Sequence, residues 1–379
     1  MSMGNSNQTG VAQEAGRPQP QTTVESAGGP FVRHSQRGRA PQYVVSGTPL
    51  GGIVTQPLVA RPGYFANFRV TQQVAGTTGT VTMTADSAPA LNSLITLKDA
   101  FGTPLIVGDG FTVSNLIGLY GGGYGVNNGS NLYSNLPGYT APSAAGNFTL
   151  DYALPLEFAK GYGVLSGANA SLLPTLQFNI AASSAIYASG ATTTATTVST
   201  TVDSDFYWLP EGAAVEPPGL GTTRQWIVQQ LNPLIASNAS ARLQFPRLGG
   251  YLDTIIITFR DSTGVRVDPY NTASRFIMYV DGVPLLDSTV NEIYDDMWIQ
   301  FGAVARPTGV MAFSRKTSLN QQSLGLLDTG EVYLSTNPGT LLEISQSPWA
   351  SITNSPGTMS ACVGQVVPTG AIIQGLPEL

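Results

Sequence analysis

The sequence predicts an all-β chain built from two similar units in tandem, each of the sandwich or jelly-roll type. Short runs rich in Val, Ile, Thr, Tyr and Phe are broken at close intervals by Gly, Pro, Asn and Asp, which is the punctuation of packed antiparallel sheets. A block of elements recurs in the same order in the second half. Between the copies lie residues 209–221, with three prolines and three glycines; neither Pro217 nor Pro218 can donate to a β-ladder.

Taken in order, residues 1–45 read as a flexible arm, rich in Gln, Gly, Ser and Pro and without apolar periodicity. Four arginines (Arg17, Arg33, Arg37 and Arg39) oppose Glu14 and Glu25, a net charge of +2 against −6 for the whole chain, so the remainder carries −8. A basic arm on an acidic body can reach a neighbouring subunit, anionic lipid or nucleic acid, or simply stay solvated. The cluster Arg33, Arg37 and Arg39 is well short of a nucleic-acid domain. The first unit is expected over 46–208, with strand runs at 64–72, 79–85, 93–98, 148–158, 175–180 and 196–208. Residues 121–146 (Gly, Asn, Ser and Tyr) read as a long surface excursion.

After the linker at 209–221, the second unit is expected over 222–379. Strand pattern restarts at 222–227 and continues at 252–260, 275–280, 309–314, 331–335 and 341–345. Residues 289–302 predict a helix: Thr289 or Ser288 can cap it, Glu292 sits in its first turn, and Ile293, Met297 and Phe301 recur at four-residue spacing. The stretch after about 346 is again rich in Pro, Gly and Ser and reads as a tail that could clip onto a neighbour.

The repeat is specific in its order. Leu94 to Leu97 lead through a turn to Pro104-Leu105-Ile106, then Asp109-Gly110 and Thr112 to Ile117. Phe276 to Val280 lead through Asp281-Gly282 to Pro284-Leu285-Leu286, then Asp287-Ser288 and Thr289 to Tyr294. Upstream, Arg61-Pro62-Gly63-Tyr64 is echoed by Arg247-Leu248-Gly249-Gly250-Tyr251. The offsets are 186 (61 to 247), 180 (104 to 284) and 177 (112 to 289), a drift that loop insertions produce.

Composition narrows the function. Charged residues are 11%, against about 25% in ordinary soluble proteins, and no stretch approaches the ~20 apolar residues of a spanning helix. Such a surface suits burial against other protein; a hardy or secreted monomer with a Ser/Thr/Asn-rich surface would share it. Fourteen of the 17 basic residues are Arg, which fits interfaces and equally fits a genomic bias. The single cysteine, Cys362, precludes an intrachain disulfide and a Cys-based metal cluster. The opening MSMGNSNQTG has neither the basic start nor the apolar core of a secretory signal, so synthesis and folding in a cytoplasm are expected.

Chemistry is sparse. The one histidine, His34, lies in the arm, away from the scaffold that triad or multi-His metal chemistry needs. Glu292, Asp295 and Asp296 read as a solvated helix face, since no EF-hand spacing follows. Gly121-Gly122-Gly123-Tyr124-Gly125 lacks the Lys and following helix of a phosphate loop. No catalytic residue, cofactor or metal is expected, and the chain is not expected to be an enzyme.

The order of elements over residues 50–345 resembles the double jelly-roll major capsid proteins of tailless, internal-membrane icosahedral bacteriophages of the tectivirus type, the lineage that includes the adenovirus hexon. The likeness is carried by Ala90 to Ile95 after a Thr-rich strand, Leu154-Pro155-Leu156-Glu157-Phe158, Leu165 to Asn169, Leu176-Gln177-Phe178 and Trp208-Leu209-Pro210. It continues in Gly250 to Ile255, Arg306 to Val310 and residues 331–334. The resemblance implies two tandem eight-stranded jelly rolls with short interstrand helices, packed side by side. It implies a homotrimeric capsomer of pseudo-hexagonal outline that tiles an icosahedral shell in the virion, after synthesis in a host bacterial cytoplasm. Neighbouring capsomers, minor capsid, vertex and membrane proteins and an internal lipid membrane are the implied partners, without sequence-specific nucleic-acid binding. Family members often carry an amphipathic N-terminal helix at the membrane. Here Gly16, Pro18, Pro20 and Gly28-Gly29-Pro30 interrupt the arm, leaving Arg33, Arg37 and Arg39 as candidate inner-surface contacts to membrane or neighbour. A β-sandwich viral spike or lectin-like receptor-binding module is the alternative.

Overall fold

The computed structural model describes residues 29–76, 79–86, 88–120, 143–158, 161–189, 196–209, 216–217, 222–235, 241–245, 249–269, 274–301, 307–314, 334–336, 341–347 and 357–368. The first half holds β1 (Gln36–Pro49), β2 (Ile53–Pro57), β3 (Tyr64–Ala75), β4 (Thr82–Met83), β5 (Asn92–Lys98), β6 (Pro104–Gly108), β7 (Phe148–Pro155), β8 (Leu165–Ser166), β9 (Thr175–Ile180), β10 (Tyr187–Ser189) and β11 (Thr197–Trp208). The second holds β12 (Thr222–Ile235), β13 (Ala241–Gln244), β14 (Tyr251–Arg260), β15 (Arg275–Val280), β16 (Val283–Thr289), β17 (Val310–Ser314), β18 (Leu334–Ser335), β19 (Leu342–Ser347) and β20 (Gly357–Pro368). Helices are short: α1 (Gly29–His34), α2 (Ile117–Tyr120), α3 (Ser183–Ile186) and α4 (Val290–Phe301), with a π-helical turn at Thr112–Leu116 leading into α2.

Eight principal strands per unit form two four-stranded sheets, and both units use the same order. In the first unit β1-β11-β3-β7 packs on β2-β9-β5-β6; in the second β12-β20-β14-β17 packs on β13-β19-β15-β16. Each unit is a jelly roll. The repeat legible in the sequence falls on corresponding elements: β5 with β15, β6 with β16, the Thr112 turn with the start of α4, and the entry to β3 with the entry to β14.

Period-two burial shapes the first unit. β11 alternates buried and half-exposed residues through most of its length, as a half-covered strand must. Its two sheets are also bridged in the core by a polar pair. Gln72 of β3 and Asn92 of β5 donate to each other's carbonyls at 3.1 and 2.7 Å, and the Tyr152 hydroxyl donates to Gln72 at 3.2 Å. All three are buried, so each hydrogen bond replaces a lost contact with water. Burial pushes the Tyr152 phenol well above its ordinary pKa.

Several expectations are revised. The strand β1 starts at Gln36, inside the stretch read as an arm. As an edge strand it has mostly exposed side chains, so its sequence lacks apolar alternation, and Pro41 sits at a register shift where no ladder bond is needed. The tail expected after 346 instead supplies β20, which lies between β12 and β14. Its Ala361 and Gly364 are small because neighbours crowd it: a Cβ on Gly364 would lie 2.4 Å from the Trp226 ring. The run at 79–85 yields only β4, and the run at 148–158 ends at Pro155. Of 331–335, only Leu334 and Ser335 lie among the described residues. Residues 121–142, with the glycine run, and most of 209–221 lie outside them.

Candidate assembly surfaces and the joint between the units

The two jelly rolls are fused through one continuous sheet. The edge strand β6 of the first unit pairs in parallel with the edge strand β12 of the second, Ile106 opposite Trp226 and Val107 opposite Ile227. Parallel pairing of two edges removes both as templates for unwanted strand addition. Trp226 is wholly buried and the Arg224 guanidinium stacks over it at 4.5 Å. Arg224 also makes a buried ion pair with Asp253 of β14. Gln225 Nε2 donates to the Pro104 carbonyl across the joint at 3.1 Å.

A second contact between the units is ionic. Asp86, between β4 and β5, accepts from Arg260 Nη1 at 2.5 Å and from Arg266 Nε at 2.7 Å. Both guanidinium groups lie over the Phe111 ring, Arg266 at 4.3 Å and Arg260 at 5.7 Å. One carboxylate and one aromatic ring of the first unit thus hold two arginines of the second, and the ring desolvates the pair. Sequence reasoning passed over Asp86, Arg260 and Arg266, because nothing local marks an ion pair between residues about 180 positions apart.

The sequence-predicted site residues lie on α1 and the edge strand β1 of the first unit. Phe31 of α1 is buried against Tyr64 and Tyr207, with ring centroids 5.8 and 5.2 Å away, and anchors the start of β1. Arg33 is exposed on α1. Arg37 and Arg39 lie on β1 and are half-exposed, each next to a buried carboxylate: Arg37 to Glu157 at 3.2 Å, Arg39 to Asp205 at 2.9 Å. Arg69 of β3 reaches the other oxygen of Asp205 at 3.2 Å. The Asp205 hydrogen bond raises the Arg39 pKa further above its ordinary value. Arg37 and Arg39 are therefore fixed by the sheet and present cationic edges from a rigid strand. Arg33 belongs to α1, outside the sheet.

His34 is exposed at the end of α1, whereas Cys362 is buried in β20, where burial pushes its thiol far up in pKa. Glu292 is the N-terminal partner of α4: its carboxylate accepts from Thr289 N at 2.6 Å while Glu292 N donates to Thr289 Oγ1 at 3.3 Å, a reciprocal capping box. Among the described residues no group of three or more His, Cys, Asp or Glu side chains is placed to hold a metal ion, and no helix is long and apolar enough to cross a membrane.

No protein-family model and no curated protein matches the chain. Solved structures do. PBCV-1 VP54, as fitted into a cryo-EM reconstruction of the virophage Sputnik, superposes on 88% of this chain and 93% of its own, with TM-score 0.61 and 12% identity. The MCP of STIV, the Sulfolobus Turreted Icosahedral Virus, covers 90% of this chain and 100% of its own, with TM-score 0.61 and 15% identity. The major capsid protein of bacteriophage PM2 covers 88% and 98%, with TM-score 0.50 and 10% identity. At these identities the likeness is one of fold, and the fold is the double jelly roll.

Proposed function

We propose that this chain is a major capsid protein, the building block of an icosahedral virion shell, and acts by self-assembly without making or breaking a bond. The observation that carries the reading is the joint: two jelly rolls of identical strand order lie side by side in one chain, tied by a shared sheet and a shared ion cluster. Three such chains around a threefold axis present six similar corners, a tile of hexagonal outline that can cover a closed surface. A low charge content and an edge-rich architecture suit a protein whose surface is largely buried in assembly.

Neighbouring capsomers are the primary partners in this reading, with minor capsid and vertex proteins at positions where the tiling changes. Arg33, Arg37 and Arg39 are the proposed contact surface for a neighbour or for an internal membrane. The domain limits proposed are a first unit ending at 208, a linker over 209–221 and a second unit over 222–379, with the arm expected over 1–45 giving way to the first unit before β1. Because β1 begins at Gln36, a truncation that tests the arm alone should stop at residue 28.

Light scattering on the purified chain tests the reading. It predicts a particle of three times the 39.6 kDa chain mass, stable on dilution. A monomer at all concentrations overturns it.

A further inference from the structure

Each unit has one edge strand used in the joint and a counterpart left open. Among the described residues, β6 of the first unit is covered by β12 while β1, an edge of that unit's other sheet, has no strand on its outer side; in the second unit β12 is covered and β16 has no strand on its outer side. An open edge is a template for pairing, and these two edges are the structural equivalents of the two that already pair.

The equivalence holds residue by residue. Tyr64 pairs with Tyr207 and Tyr207 with Arg37; Tyr251 pairs with Val366 and Val366 with Arg224. Both units then skip one residue at the same place, Ala66 in β3 and Asp253 in β14. Arg39, opposite Asp205, thereby matches Trp226, opposite Gly364. On the other edge the step from Leu97–Ile106 to Lys98–Pro104 is repeated from Met278–Leu286 to Tyr279–Pro284, so Ile106 matches Leu286 and Val107 matches Asp287.

We infer that β16 of one copy pairs in parallel with β1 of a second copy, Leu286 opposite Arg39 and Asp287 opposite Ala40, repeating the Ile106–Trp226 and Val107–Ile227 pairs. The charges agree. Asp287, Glu292 and Asp295 are exposed on β16 and α4, with Arg275 as the facing cation, whereas Arg33, Arg37 and Arg39 flank the β1 edge. Apolar surface agrees as well. Trp298 and Ile299 stand out from α4, the counterpart of the helical turn whose Phe111 is covered inside the chain by Arg260 and Arg266. The occupant is a second copy of this chain, and the contact is head-to-tail, the kind from which a ring is built, of three copies under the proposed function.

The inference rests on the proposed shell-building function, and its test separates the two. In full-length protein carrying Ala40→Cys and Asp287→Cys, mild oxidation should convert most chains into covalently linked dimers and closed trimers. Each single variant should stay unlinked. Cys362 is buried and does not compete. A trimer by light scattering without interchain linkage overturns this interface and leaves the function standing; an unlinked monomer overturns both. Trp298→Glu, at a side chain exposed in the free chain, should lower the trimer fraction at least tenfold while the chain keeps the far-UV circular dichroism of the folded protein. An unchanged trimer fraction overturns the assignment of α4 to the interface.

Discussion

Removing the Asp86 carboxylate should loosen the two units from each other. In Asp86→Ala, Arg260 and Arg266 lose a shared partner at 2.5 and 2.7 Å. The three side chains are 12–21% exposed, between a buried ion pair, whose breakage costs about 3–5 kcal/mol, and a surface pair worth about 0–1 kcal/mol. Arg260 and Arg266 keep bonds to the Gly264 and Thr308 carbonyls and their stacking on Phe111, which limits the loss. An intermediate cost of about 2–3 kcal/mol follows, roughly a 30- to 150-fold shift in the unfolding constant. Urea unfolding followed by intrinsic fluorescence measures it, with Ser93→Ala as the control. Ser93 is exposed and its hydroxyl donates to the Asn179 carbonyl within the first unit, so its loss should cost no more than about 1 kcal/mol. If Asp86→Ala costs no more than the control, the ionic joint does not hold the units together.

Gly364→Ala should destabilise the second unit by about 1–3 kcal/mol, because its Cβ would lie 2.4 Å from Trp226 Cζ3; wild-type stability in thermal unfolding would show that the ring moves freely. Asn92→Leu should cost about 2 kcal/mol by stranding the Gln72 amide, and the double variant Gln72→Leu/Asn92→Leu should recover much of it; strict additivity in denaturant titrations would contradict a paired bridge. Thr289→Ala should cost about 1 kcal/mol through loss of the cap, read by calorimetry. Glu292 is held below its ordinary pKa of 4.5 by the Thr289 hydrogen bonds. Its contribution is therefore complete above that value and fades as pH falls through the lowered one. Glu292→Gln should abolish that part of the acid sensitivity, and an unchanged pH profile between 5 and about 2 would count against the box.

The units, and even their alignment, were legible because they rest on local order. Pro104 and Pro284 lie at matching places near the starts of corresponding strands, and Thr289 with Glu292 caps the helix at the expected place. What stayed hidden depends on partners far away in sequence. β1 lacks apolar alternation because it is an edge, and β20 looks like a loop because Gly364 and Ala361 are small to admit Trp226 and flanking strands. The candidate arginines Arg33, Arg37 and Arg39 stood out by spacing alone. The carboxylate partners of Arg37 and Arg39, Glu157 and Asp205, are over 100 residues away, so the sequence marked a flexible basic arm where these two arginines stand on a rigid strand. Asp86, Arg260 and Arg266 carried no local signal at all.

Electron cryomicroscopy of particles containing this chain tests the shell-building reading most directly. The account predicts hexagonal tiles of threefold symmetry, each with six jelly rolls, repeated over an icosahedral surface. Density for the chain confined to protruding spikes, or absent from the continuous shell, would contradict it.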